Sequence, residues 1–226
     1  MKYTFYGHAC FSIEINNTTL LFDPFISGNE LAKDIKLDEI KADYILLSHA
    51  HTDHILDCEA IALRTGAKVI CAWEIHEWLN TKGVTNTHPM NIGGKWTFDE
   101  FTVKCVVAQH SSSLPDGSYG GNPMGFIIYA NKESFYYSGD TALTLDMQLI
   151  TRWANLKFAI LPIGDNFTMG VDDAIMAAEF VDAKKVIGVH YNTFGFIKID
   201  TNDAIESFKE HDIELVLPGI GECIAL

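Results

Sequence analysis

The sequence has no long uninterrupted hydrophobic segment. No apolar run approaches the ~18 residues that a membrane-spanning helix needs. The first residues, MKYTFYGHACFSIEI, alternate apolar and polar side chains, which is not the pattern of a signal peptide. Low-complexity segments and Pro/Ser-rich linkers are also absent. These absences predict a soluble, cytoplasmic protein with no membrane partner.

Basic residues are scarce. The chain has 16 Lys and Arg against 30 Asp and Glu, a formal net charge of −14. Nonspecific binding to nucleic acid requires clustered Lys and Arg to replace the counterions around phosphate. We therefore expect no extended duplex nucleic acid as a partner. This charge is still compatible with a local site, and a small-molecule substrate is expected instead.

The cysteines do not form a disulfide pattern. There are five, an odd number, at irregular spacings and mostly within apolar segments: Cys10, Cys58, Cys71, Cys105 and Cys223. We interpret them as reduced and buried, which again favours the cytoplasm.

The length and composition favour one compact domain. Of 226 residues, 48% are hydrophobic and 20% are charged, and a chain of this size can bury a large core. We predict a single domain over residues 1–226.

Strand and helix patterns alternate along most of the chain. Strands are predicted at KYTFYG, FSIEI, TLLFD, ADYILLSH, AKVICA, FTVKCVVAQ, MGFIIYA, ESFYYSGD, KFAILPIGD, KKVIGVHY and IELVLPG. Helices are predicted at HILDCEAIALRTG, EIHEWLNTKG, TLDMQLITRWANL, DDAIMAAEFVDA and TNDAIESFKEH. The order is similar in both halves, and each half has a strand that ends in aspartate, Asp23 or Asp140. The pattern predicts an α/β protein with polar residues at one edge of its sheets.

The segment SHAHTDH (48–54) gathers three histidines and an aspartate directly after an apolar run. Alternate side chains of an extended segment point the same way, so His49 and His51 can converge on one metal ion. A bend after them would turn Asp53 and His54 towards a second ion. Isolated histidines are usually surface or satisfied core residues, but His-x-His-x-Asp-His arises by chance in only about one such chain in a thousand.

Three further candidate ligands follow predicted strands: His110, Asp140 and His190. Each could instead cap the sheet. Asp140 is the natural bridge, because one carboxylate can place an oxygen on each of two ions ~3.5–4 Å apart. With SHAHTDH the three complete the ligand set of a dinuclear site.

These motifs resemble the metallo-β-lactamase superfamily, whose signature stands here as His49, His51, Asp53 and His54. The resemblance covers essentially the whole chain. Further segments are similar to a group of bacterial and archaeal metal-dependent hydrolases related to ascorbate-6-phosphate lactonase and to N-acylphosphatidylethanolamine phospholipase D: GHACFSIEI, DPFISGN, MNIGG, HSSS, GGNPMGF, LPIGDNFTMG and HYNTF. The resemblance implies a four-layer αβ/βα sandwich. Relatives often self-associate, so a homo-oligomer is possible.

The resemblance also implies how the ligands are shared. One metal would be held by His49, His51 and His110, the other by Asp53, His54 and His190, with Asp140 as the bridge. A bridging hydroxide would then be the nucleophile, and Asp53 would help to orient it. No cysteine takes the bridging position found in some true β-lactamases, which argues against antibiotic hydrolysis.

Two residues outside this set have open roles. His8, in YGHACF, is a candidate catalytic residue, as a substrate contact or proton donor, or else a packed structural histidine. Asp23 is expected to orient a ligand histidine or the adjacent loop; the alternative is a turn residue before Pro24.

Two loop regions are expected to border the pocket. In segment 110–126, Ser111, Ser112 and Asn122 can bind a polar substrate or be solvated turn residues. Near His190, other side chains form either an apolar wall or only core: Phe167, Thr168, Met169, Asn192 and Phe194. His76, His88 and His211 receive no function.

The expected activity is hydrolysis of a phosphodiester or of a cyclic ester or lactone. The expected cofactors are two divalent metal ions, first of all zinc, with manganese, iron or nickel as alternatives. Two other classes remain open: a non-catalytic metal-binding protein and an iron-dependent oxidoreductase with the same fold. The complete set of seven ligands argues against a purely structural site, which is usually closed by four.

Overall fold

The computed structural model describes residues 1–226, which form two compact units. Unit 1 comprises Met1–Asn91, Ser111–Pro123 and Pro218–Leu226, and unit 2 comprises Ile92–His110 and Met124–Leu217. Each unit contains one seven-stranded sheet. No helix is both long enough and apolar enough to span a membrane. That 1–226 act as a single domain stays a prediction.

Unit 1 contains three α-helices and a mixed sheet in the order β14-β1-β2-β3-β4-β5-β6. Its strands are β1 (Lys2–Gly7), β2 (Cys10–Ile15), β3 (Thr18–Phe22), β4 (Tyr44–Leu46), β5 (Lys68–Cys71), β6 (Thr87–Pro89) and β14 (Cys223–Ala225). Its helices are α1 (Thr52–Ile55), α2 (Cys58–Thr65) and α3 (Trp73–Thr81). The first strands form an antiparallel meander, stabilised by stacked rings such as Phe11 and Phe22 at 4.6 Å.

Unit 2 has the sheet order β13-β12-β11-β10-β9-β8-β7. Its strands are β7 (Lys95–Thr97), β8 (Thr102–Val107), β9 (Met124–Ala130), β10 (Glu133–Tyr137), β11 (Phe158–Pro162), β12 (Lys185–Val189) and β13 (Glu214–Val216). Its helices are α4 (Val171–Phe180) and α5 (Thr201–Glu210), which contact β11 and β13. Every residue of β11 is buried, as is usual for a central strand among parallel neighbours.

The two sheets share one strand pattern. In unit 1 an antiparallel group ends at β3, which pairs in parallel with β4, and in unit 2 an antiparallel group ends at β10, which pairs in parallel with β11. Asp23 directly follows β3, and Asp140 lies shortly after β10. The repeated order expected from the sequence, with an aspartate after the corresponding strand, is therefore present in the structure.

The structure differs from the predicted elements in three ways. The helix predicted over 54–66 is interrupted at Asp57, whose carboxylate accepts hydrogen bonds from Ile26 N at 2.6 Å and Ser27 N at 2.9 Å. The helix predicted at TLDMQLITRWANL is a 3-10 helix over Leu145–Arg152. Strands β6, β7 and β14 were not predicted; each has only three residues and lies at the edge of its sheet.

The cysteines follow the prediction with one exception. None of the five forms a disulfide, and four are buried. Cys223 is exposed in the edge strand β14, so the prediction that it is buried was wrong. Burial raises the pKa of the Cys105 thiol to about 12 and raises those of Cys58 and Cys71 as well.

Candidate metal centre

The SHAHTDH segment changes conformation halfway along. After β4 the chain stays extended as far as His51, and α1 begins at Thr52. His49 Nε2 and His51 Nδ1 lie 3.0 Å apart, as the alternation of an extended segment predicts. The helical turn brings the His54 ring within 4.1 Å of the His49 ring, measured between centroids. The four signature residues are therefore gathered within unit 1.

Asp23 fixes the orientation of two of these histidines. Its Oδ2 accepts hydrogen bonds from His54 Nδ1 at 2.9 Å and from the Ser48 hydroxyl at 2.6 Å, and its Oδ1 accepts one from Ser48 N at 2.8 Å. Since the Ser48 hydroxyl donates to Asp23, its oxygen accepts from His49 Nδ1, which lies 2.9 Å away. Both histidines thus carry their proton on Nδ1, and Nε2 keeps the lone pair that a metal ion needs.

Strand register brings Asp23 and Ser48 together. Phe22 pairs with Leu46 in the parallel β3–β4 ladder, and the ladder continues when Asp23 N donates to Leu46 O at 3.0 Å. The residues that follow both strands therefore meet at one edge of the sheet. Asp23, His49 and His54 each offer a ligand atom within 4.8 Å of the others, and all three are buried.

His8 contacts the remaining carboxylate of the motif. Its Nε2 lies 3.0 Å from Asp53 Oδ2, and its side chain is fully buried, whereas the Asp53 side chain is 29% exposed. The His8 backbone has φ of 57°, in the left-handed region, which directs the chain sharply between β1 and β2. His8 therefore contacts the Asp53 carboxylate from a buried position.

The loop Ser111–Pro123 packs against the histidine segment of unit 1. Ser111 Oγ lies 3.3 Å from His51 Nε2, and Ser112 Oγ accepts a hydrogen bond from Ala50 N at 3.2 Å. A Cβ added at Gly120 would lie 2.3 Å from the Ala50 Cβ, so only glycine allows this approach. Asn122 accepts instead from the Tyr119 hydroxyl at 2.8 Å. Two of the three predicted polar loop residues therefore touch the motif.

Unit 2 holds the other three predicted ligands. Asp140 Oδ2 lies 3.0 Å from His190 Nε2 and 3.7 Å from His110 Nε2, and Asp140 is buried. The loop that carries Asp140 is bound to the end of the His110 segment, because Gln109 N donates to Thr141 Oγ1 at 2.9 Å and Ala142 N donates to Gln109 O at 3.1 Å. One carboxylate oxygen thus faces two imidazole nitrogens.

Comparison with known proteins identifies the family of this chain. The Beta-lactamase superfamily domain matches residues 18–191. A UPF0173 metal-dependent hydrolase of Christiangramia forsetii is 52% identical over 227 residues, covering 100% of both chains. A second, from Flavobacterium johnsoniae, is 51% identical over 226 residues, with the same coverage. The chain belongs to the metallo-β-lactamase superfamily.

As a member of that superfamily, the chain is a metal-dependent hydrolase. The structure of Igni18, a novel metallo hydrolase from the archaeon Ignicoccus hospitalis, aligns with 99% of this chain and 97% of its own at a TM-score of 0.89 and 33% identity. The predicted α/β metallo-β-lactamase fold is therefore confirmed.

The donor atoms of this hydrolase suit divalent metal ions. Imidazole nitrogens and carboxylate oxygens are the ligands that Zn²⁺ and neighbouring divalent metals accept. In unit 1 the Asp23 carboxylate fixes His49 and His54 in the tautomer required for ligation through Nε2. In unit 2 a buried carboxylate lies beside two histidines. The residues present therefore fit metal binding in both units.

One residue at the site was not singled out from the sequence. Ser48 connects Asp23 with His49, and its position directly before the first motif histidine was the available signal. The histidines without an assigned role lie elsewhere: His76 is beside Thr87, and His211 is beside Glu179.

Proposed function

We propose that this hydrolase uses a dinuclear metal site. His49, His51 and His110 would hold one ion, and Asp53, His54 and His190 the other, with Asp140 between them. The observation that carries the proposal is Asp140 Oδ2, which lies beside both His110 Nε2 and His190 Nε2, one histidine from each ligand set. A carboxylate in this position can act as a bridging ligand between two metal ions.

The protein's own groups prepare the site. When bound, the two ions would lower the pKa of a shared water and so supply a bridging hydroxide at neutral pH. Ser48 and Asp23 accept hydrogen bonds from Nδ1 of His49 and of His54, so that Nε2 of each carries the lone pair for a metal ion. His8 contacts the Asp53 carboxylate. Asp53 is half-buried and can accept a hydrogen bond from the nucleophile.

The proposed substrate is a small phosphodiester or a cyclic ester or lactone. Zinc is the metal we favour, because the ligand set is rich in imidazole. The net charge of −14 argues against extended duplex nucleic acid as substrate. The absence of disulfides suits a cytoplasmic enzyme. A homo-oligomer remains compatible with this proposal, and no membrane partner is expected.

Metal content and turnover, measured together, test the proposal. Wild type, Asp140→Ala and the control Asp146→Ala are purified and loaded with Zn²⁺ or Mn²⁺, and bound metal is counted by mass spectrometry. Each is assayed with bis(p-nitrophenyl) phosphate and with a simple lactone. Asp146 is an exposed acidic residue of the same unit. We expect about two metals per chain and turnover in wild type and control, with both reduced in Asp140→Ala.

Other outcomes separate the parts of the proposal. Two metals with lactone turnover alone would exclude the phosphodiester and retain the dinuclear site. A single metal that survives Asp140→Ala would refute the bridging role. Less than one metal per chain under every loading condition would refute the metal site itself.

A further inference from the structure

Two exposed aromatic residues contact each other in the loops of unit 2. Phe167 is 52% exposed and Phe196 is 77% exposed, and their rings meet edge to face with centroids 6.1 Å apart. Single exposed hydrophobic residues are common on protein surfaces. Here two large rings contact each other and both lack the burial that a core position would provide. We call Phe167 and Phe196 the aromatic pair.

The aromatic pair lies in the loops that follow neighbouring parallel strands. Strands β10, β11 and β12 are adjacent and parallel, so their carboxyl ends lie along one edge of the sheet. The loop after β10 carries Asp140, the loop after β11 carries Phe167, and the loop after β12 carries both His190 and Phe196. The β11 loop therefore lies between the two loops that carry metal ligands. Ligands of α/β sheets bind at this edge.

Backbone contacts fix the β11 loop to both neighbours. Met169 N donates to Thr141 O at 3.1 Å, directly after Asp140. On the other side, Gly164 packs so closely on His190 that an added Cβ would lie 2.1 Å from the His190 carbonyl oxygen. The loop that carries Phe167 is thus bound to the loops of Asp140 and His190.

Hydrogen bonds also fix the conformation of the β12 loop. Asn192 N donates to Ile197 O at 2.7 Å, and Asn192 Oδ1 accepts from Ile199 N at 2.8 Å. Asn192 therefore closes the turn that carries Phe196 with two hydrogen bonds, one donated and one accepted. A binding surface that is already ordered avoids the entropic cost of ordering on binding.

The charges near the aromatic pair favour an uncharged group. Asp165 stands two residues before Phe167, and Asp172 and Asp173 lie in the first turn of helix α4, whereas Lys198 is the basic residue of the β12 loop. An anionic group such as a second phosphate would meet net negative charge here. A flat apolar group can stack on the rings without this penalty.

We propose that Phe167 and Phe196 form a substrate subsite that binds a flat, uncharged, aromatic or similarly apolar group of the substrate. The inference rests on the proposed function, because it places the reaction at the loops of Asp140 and His190. It narrows the substrate class to esters, lactones or diesters with one such group beside the hydrolysed bond.

Two esters with the same leaving group test the subsite. The ratio of kcat/KM for methyl phenylacetate to that for methyl acetate, each followed by acid release, is measured on zinc-loaded wild type, on Phe167→Ala/Phe196→Ala, and on Leu145→Ala. Leu145 is a matched control, 73% exposed in the same unit. Binding of 2-naphthol is followed in parallel by saturation-transfer NMR, and oligomeric state by light scattering.

We expect wild type and Leu145→Ala to prefer the phenylacetate ester at least about 10-fold, which is the scale of discrimination by an apolar pocket. The double variant should lose most of this preference and of the naphthol signal while it keeps its metal. An unchanged ratio and naphthol signal in the double variant would overturn the subsite. The same conclusion would follow if the double variant dissociated into smaller oligomers with an unchanged ratio, since the pair would then be an interface.

The two proposals can fail separately. If wild type holds metal and cleaves neither ester, naphthol binding decides on the subsite: a signal lost in the double variant supports it, and no loss overturns it. If wild type holds no metal, the proposed function fails whatever the naphthol result.

Discussion

The Asp23 carboxylate accepts a hydrogen bond from His54 Nδ1 at 2.9 Å, with both side chains fully buried. Asp23 reaches His49 as well, through the Ser48 hydroxyl. One residue outside the signature motif therefore sets the tautomer of two histidines in it. Metal affinity should depend on Asp23 although we assign it no place among the seven metal ligands.

Replacing Asp23 by Asn should weaken metal binding without removing a proposed ligand. An amide can donate as well as accept, so it no longer requires both histidines to carry their proton on Nδ1. We expect metal affinity, measured by competition with a chromophoric chelator, to fall about 10- to 100-fold. Asp43→Asn is the control, because Asp43 is an exposed residue that accepts from Thr19 N. Equal affinities in the two variants would contradict the orienting role.

The local part of the site was predictable because it is encoded by spacing alone. His49, His51, Asp53 and His54 lie within six residues, and a short extended segment followed by a helical turn gathers them. Asp140 was a candidate ligand because of its place after a strand, and its bridging role, inferred from carboxylate chemistry, stays a prediction. These inferences needed only strand periodicity and ligand chemistry.

The contacts around the motif could not be predicted from the sequence. Asp23 and Ser48 are 25 positions apart in the sequence, and their contact depends on the register of the β3–β4 ladder. Asp57 interrupts a helix that local propensity favours, because its carboxylate binds the backbone of Ile26 and Ser27. Exposure of Phe196 likewise depends on tertiary packing. Such features arise only once distant segments meet.

A change at His8 tests whether it orients Asp53. Asn is the best replacement, since it tolerates the left-handed backbone at φ of 57° yet is too short to replace the contact of Nε2 with Asp53 Oδ2. We expect His8→Asn to lower metal affinity about 10-fold, measured by the same chelator competition. His211→Asn, at an exposed histidine beside Glu179, should leave affinity unchanged. A proton donor with no orienting role would instead lower kcat and leave affinity intact.

The packing of Gly164 on His190 predicts a pair of contrasting alanine variants. A Cβ at position 164 would clash with the His190 carbonyl oxygen at 2.1 Å, whereas one at Gly195 meets no atom within 4 Å. Gly164→Ala should lower the free energy of unfolding by about 1–3 kcal/mol, as overpacking does. Gly195→Ala should change it by less than about 0.5 kcal/mol. Urea denaturation of both variants checks this, and equal stabilities would show that the two loops separate easily.

The buried thiols predict a loss of stability at alkaline pH. Desolvation raises the pKa of Cys105 to about 12, so the folded state keeps a proton that the unfolded state releases near its ordinary value of 9.0. Between these values the unfolded state binds fewer protons, and the free energy of unfolding therefore falls as pH rises, by about 1.4 kcal/mol per pH unit for one such group. Cys105→Ala should show a shallower slope between about pH 9 and 11 in urea denaturation. The cavity it creates lowers stability equally at every pH, so slope and offset are separable. Cys223→Ala, at the exposed cysteine, should keep the wild-type slope, and an unchanged slope in Cys105→Ala would show that this thiol ionises without unfolding.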